Sequence, residues 1–281
     1  MPQKTNLNIS PYYDDFDPTN NFYRVLFKPG FPVQARELTT LQSILQDQIE
    51  SFGSHIFKDG SMVIPGGITY DDQYNSVRIN PDHLGIDVSL YLKQLVGKRV
   101  QGQNTGSTAK VVNYLLPPEK GVDTPTIFVK YIDSDSDFQF TEFDNGESLI
   151  LLDSLTYGNT TINSGDTVAN LVDVNSTDIG AAVNISSGIY FIRGHFVTVN
   201  EDTLVIDPYS NRPSYRVGLQ ITENTVSVGI ETSLYDNARG FSNFAAPGAD
   251  RLKISTTLTQ KELTDFDDKD FVELIRIDNG E

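Results

Sequence analysis

Between Val33 and Phe52 the apolar positions fall into one repeating order. Leu38, Leu41, Leu45, Gln48 and Phe52 follow a 3–4–3–4 spacing, as the a and d positions of a heptad do. Ile44 and Ile49 widen that stripe. The pattern predicts the one long helix of the chain, from about Val33 to Phe52. Pro29, Gly30 and Pro32 punctuate the chain ahead of it. Glu37 suits the positive end of its first turn, and Gly53 is placed as the residue just past its C-terminus. Asp47 and Glu50 are wrongly signed for the negative end and gain nothing there unless paired, with Lys58 or with another subunit. A broad apolar face would pack on the helix's own sheet, whereas a narrow seam with a polar Gln48 setting register would pack on copies of itself. Two and a half heptads do not decide between them.

Elsewhere the period is that of strands. The first 26 residues read as an extended arm leading into a short strand, Phe22 to Phe27. "GSMVIPGG" is a strand closed by a turn. From about Leu95 to Leu155, "KRVQGQNTGSTAKVVNYLL", "PTIFVKYID" and "ESLILLD" supply four or five short strands, which predict a small barrel. The sharpest alternation is "GIYFIRGHFVTVNEDTLVID". It divides into strands near Ile189–Ile192, His195–Val199 and Thr203–Ile206, with turns at Arg193-Gly194 and Asn200-Glu201-Asp202, and "SYRVGLQITENTVSV" extends the meander. The expected fold class is mainly β with one N-terminal α-helix, as several small β-barrel or β-sandwich domains in series. The expected segments are an arm and helix over 1–88, a barrel over 89–155, a meander or sandwich over 156–235, and the start of a further β domain over 236–281. The strand "FVELIRI", followed only by "DNGE", predicts a chain that is a piece of a longer polypeptide.

Composition narrows the function classes. The formal net charge is −17 and no basic run is present, which disfavours nucleic acid and anionic membrane surfaces as partners, because phosphate contacts need clustered Lys and Arg. There is no Cys, so disulfides, thiolate metal sites and Cys nucleophiles are excluded. The N-terminus lacks the apolar core of a signal peptide, and no apolar run approaches the roughly 18 residues of a membrane span. A soluble chain made in a cytoplasm is expected.

Candidate chemistry is thin. His55, His83 and His195 stand far apart, and His195 reads as the cap of a hairpin. "GQNTGSTAK" misses the phosphate-loop spacing and reads as a β-turn. In "DSDSDF", Asp133, Asp135 and Asp137 alternate and Asp144 falls at the twelfth place, but Phe138 occupies the sixth, where a Ca²⁺ loop needs Gly. A solvated acidic loop outweighs a Ca²⁺ site there, and Asp265, Asp267, Asp268 and Asp270 in "TDFDDKD" are a weaker case. Four Asn-x-Ser/Thr sequons, at Asn8, Asn159, Asn175 and Asn184, mark polar surface. No catalytic residue, metal or cofactor is expected, and the chain does not read as an enzyme.

The stretch "RVLFKPGFPVQARELTTLQSILQDQIESFGSHIFKDGSMVIPGG" resembles the N-terminal signature of a family of virion structural proteins of T4-like tailed phages, cyanophages included. "GIYFIRGHFVTV", "PSYRVGLQI" and "LYDNARGFSNFAAPGADRLKI" extend the resemblance over most of the chain. Its signature residues here are Gly30, Pro32, Gln34, Ala35, Arg36, Glu37, Leu38, Leu41, Gln42, Gln48 and Gly53. The resemblance implies a virion component of the baseplate or tail-fibre attachment region, made in the host cytoplasm. It further implies a homotrimer whose other partners are tail or baseplate proteins. It offers no catalytic residue. The alternative is an adhesin that recognises a bacterial surface glycan through Tyr- and Asn-rich loops such as "TYGNTT" and "PYSNRPSY". A polysaccharide depolymerase is disfavoured by the absence of a long parallel repeat.

Overall fold

The computed structural model describes residues 4–132, 142–238 and 240–281. The protein is mainly β, with one long helix and several separate small sheets. It divides into two compact units, each assembled from separated stretches of chain. The first comprises Met1–Ile68, Ile185–Asp202 and Arg216–Ile275; the second comprises Thr69–Asn184, Thr203–Tyr215 and Arg276–Glu281. The four consecutive segments expected from the sequence are thus distributed between two interleaved units.

The first unit holds helix α1, Ala35–Ile56. An antiparallel sheet centres on Gly188–Ile192, flanked by Ser61–Ile64 and His195–Val199. A second three-stranded sheet centres on Tyr215–Val226, flanked by Arg251–Glu262 and Phe271–Ile277. The strands read near residues 189–206 therefore exist but do not run on as one meander. Asp202–Asp207 joins a sheet of the second unit, and Tyr215–Val226 founds a sheet of its own. Alternation marks a strand; it does not say which edge the strand will pair with. Phe22–Phe27, read as a short strand, is not in any sheet, although its sequence is strand-like.

The second unit is built on eight strands. Their order is Thr167–Asn170, Ser148–Leu151, Arg99–Gly102, Thr108–Leu115, Thr126–Tyr131, Ile68–Arg78, Thr177–Ile185 and Asp202–Asp207. An antiparallel bridge between Ile79 and Leu171 joins the continuations of the first and sixth of these, closing six strands into a ring. Val172 N donates to Arg78 O at 3.2 Å and Asn80 N to Asn170 O at 2.8 Å across that seam. The ring is the small barrel expected here, completed by strands on both sides of the stretch that predicted it. Inside lie Val77, Val100, Val111, Ile127, Leu149, Leu151 and Leu171, covered at one end by Tyr91, Leu92 and Leu95. Closure removes the edges that such short strands would otherwise leave unpaired.

The turn "GQNTGSTAK" connects two barrel strands, and its organiser is Glu147. That carboxylate, 1% exposed, accepts from Asn104 N at 2.9 Å, Thr105 N at 3.2 Å and Asp144 N at 2.7 Å. A buried carboxylate is tolerated when several donors satisfy it. Asp133, Asp135, Asp137 and Phe138 lie outside the described residues.

Candidate assembly surface

The approach to α1 is set by a turn. Phe31 N bonds Lys28 O, with Pro29 and Gly30 as the central residues and Gly30 at φ +82°. Proline presets the first central position and only glycine takes the second at no steric cost. Gln34 then caps the helix: its own N–H donates to Glu37 Oε2 at 2.9 Å, while Arg36 Nε reaches Gln34 Oε1 at 2.8 Å and Arg36 Nη1 reaches Asp15 at 3.0 Å. Gly30, Gln34, Arg36 and Glu37 thus serve to start one helix. Pro32 and Ala35 are exposed beside them.

One side of α1 packs within its own unit. Asp14, itself buried, accepts from Ser43 and from Thr40. Gln46 Nε2 donates to Gly194 O at 2.7 Å. Ile44 is 4% exposed and is the helix's one buried large apolar side chain. Gly53 is not the residue past the helix end. The helix runs on to Ile56, and Gly53 O accepts from Phe57 N at 2.7 Å inside the last turn. What requires glycine is proximity, since a Cβ there would lie 2.5 Å from Phe191 Cε2 and 2.7 Å from Cζ. Phe191 cannot swing away easily, because it packs against Phe57 and Phe196 at centroid separations of 5.9 and 5.5 Å.

The opposite side is the heptad stripe. Leu38, Leu45 and Phe52 are 51%, 57% and 69% exposed; Gln48, Ile49 and Ile56 are exposed too, and Leu41 is half-buried. At 100° per residue Ser43 lies about half a turn from the middle of this stripe, Thr40 about 130° from it and Ile44 about a quarter turn. Packing within the unit therefore uses a polar-rich face centred near Ser43 and flanked by Ile44, and most of the apolar seam is left to solvent. Asp47 and Glu50 have no ion-pair partner among the described residues. Glu50 lies with its Cγ over Gly194, and burial, with Asp47 adding, pushes its carboxyl above the ordinary range.

The arm continues this exposed surface. Phe22, Tyr23, Leu26, Phe27, Phe31 and Val33 are all exposed. No backbone hydrogen bond is made by residues 22–27 among the described residues.

The histidines and three of the four acidic residues of "TDFDDKD" singled out from the sequence have structural partners. Arg193, in the predicted turn and 6% exposed, bonds Glu223 and Asp270. Glu223 also accepts from Thr5 N at 3.0 Å and Lys4 N at 3.1 Å, tying the amino-terminal chain down. Arg216 bonds Asp268 at 2.5 Å and also Glu273. Lys261 stands 3.6 Å from Asp265, so three carboxylates of "TDFDDKD" face cations. His195 Nδ1 lies 2.9 Å from Arg193 O at the hairpin end, His83 Nε2 3.1 Å from Thr167 O, and His55 Nδ1 2.8 Å from Ser51 O. The three share no site.

The chain belongs to a family described as a domain of unknown function, DUF4815, whose profile matches residues 10–92 and 125–281. The arm from Phe22 and the whole of α1 fall within the first matched segment. No curated protein and no solved structure matches the chain.

Proposed function

We propose that the protein is a structural component of a tailed-phage particle, in the baseplate or tail-fibre attachment region, and that it works by assembly rather than turnover. The observation that carries this reading is the outward seam Leu38, Leu41, Leu45, Gln48 and Phe52, with heptad spacing and every member but the half-buried Leu41 exposed. Three such seams meeting on an axis form a closed core, and symmetry repeats each contact without any new surface. Gln48 is then the polar position that fixes register.

The magnitudes are consistent with an interface that needs more than the helix. The five exposed apolar residues Leu38, Leu45, Ile49, Phe52 and Ile56 present roughly 500 Å² per chain, scaling from about 150–250 Å² for a whole aromatic side chain. At about 25 cal/mol per Å² that is on the order of 12 kcal/mol, against association costs of comparable size. Antibodies against the chain should label the tail end of the particles whose genome encodes it. Chain abundant in infected cells but missing from purified particles would rule the reading out.

A further inference from the structure

Beside α1 the first unit carries an open groove of about 1060 Å³, walled by Tyr12, Leu38, Phe196, Val197, Leu252 and Ile254 among others. Its walls include residues of two strands, His195–Val199 and Arg251–Glu262, each at the edge of its own sheet. We propose that this groove receives the arm, residues 22–33, of a second copy of the chain. The inference rests on the assembly reading above and names the segment that completes the contact.

Three observations converge on that occupant. The arm is apolar and extended, and its backbone donors and acceptors over 22–27 have no backbone partner among the described residues. A segment in that state is complementary to a groove with apolar walls and strand edges, the arrangement in which an extended peptide adds to a sheet. Area points the same way. The exposed arm residues add roughly 600–700 Å² to the helix stripe, on the same aromatic scale. The total then passes the ~800 Å² per partner of a stable interface, which the stripe alone does not reach. Continuity selects a second copy over an unrelated partner. Leu38 belongs both to the outward seam and to the groove wall. Helices joined in parallel along the seam therefore bring a neighbour's residue 34, where its arm begins, to the groove mouth.

The absence of cysteine gives a direct test on the full chain. Phe27→Cys is placed in one copy and Thr198→Cys, an exposed groove position, in another; the two are co-expressed and oxidised, and the solution mass is measured by light scattering. The control pairs Phe27→Cys with Lys93→Cys, an exposed position of the second unit. Seating predicts a reducible link between unlike chains, formed on the order of a hundredfold faster than the control at micromolar chain, because a docked arm has a millimolar effective concentration. An oligomer that links no faster than the control overturns the seating and leaves the assembly reading standing. A third variant carries both substitutions in one chain; a monomer in which only that variant links, within itself, assigns the groove to the chain's own arm and overturns the proposal. A monomer with no link overturns both.

Discussion

Gly53→Ala isolates the contact that fixes α1 against its own sheet. In a solvent-exposed helix interior, replacing glycine by alanine gains about 0.5–1 kcal/mol from propensity. Here the added methyl would sit 2.5 Å from Phe191 Cε2, and Phe191, 2% exposed, is held by Phe57 and Phe196. Overpacking of a buried ring by one methyl costs about 1–3 kcal/mol. The steric cost outweighs the propensity gain, so a net loss of about 1 kcal/mol is expected. Urea unfolding followed by far-ultraviolet dichroism, with Gly53→Ala, Phe191→Leu and the double variant, measures it. The double variant should show favourable coupling, because leucine lacks the ring edge that the methyl strikes. A Gly53→Ala protein as stable as the parent, or more stable, would refute the reasoning and return Gly53 to the role of an ordinary helix-end residue.

Two further outcomes are expected. Burial would raise the Glu223 carboxyl, but Arg193, Thr5 and the Lys4 amide outweigh it and hold the group below its ordinary value; Lys4 and Arg193 lower Asp270 likewise. Depressed carboxyls stabilise above their unfolded values and lose that contribution as pH falls through the folded ones, so unfolding from about pH 7 down to 3 should show an acid limb below about pH 4.5. Glu223→Gln should flatten that limb, and an unchanged limb would contradict the assignment. Glu147→Ala strands the Asn104, Thr105 and Asp144 amides in a buried site and should cost about 3 kcal/mol in denaturant unfolding. A loss below about 0.5 kcal/mol would mean water replaces the carboxylate.

The periodicity made α1 and its seam legible because both depend on residues close in sequence. The barrel was legible as strands, yet its closure was not: the Ile79–Leu171 bridge joins positions with no local mark. The same limit split the meander near residues 189–206, since Asp202–Asp207 pairs in another sheet although its alternation matches that of its neighbours. Gly53 was read by its place near a helix end, where glycine is common, while its cause is a phenyl ring from a strand more than a hundred residues away. Phe22–Phe27 carries strand propensity without a strand partner among the described residues, so propensity alone overstated it. The polar inner face of α1 was also unreadable. Asp14, Ser43 and Gln46 pair with groups whose proximity only the fold creates.

The most direct measurement is the solution mass of the chain by light scattering, for the parent and for Leu45→Asp with Phe52→Asp. Both positions are exposed in the single chain, so the substitutions should leave its fold and dichroism unchanged. A parent of three times 31.2 kDa, about 94 kDa, that falls to 31.2 kDa in the variant is the predicted result. A parent that is already monomeric, or a variant that keeps the parent's mass, would contradict assembly through this seam.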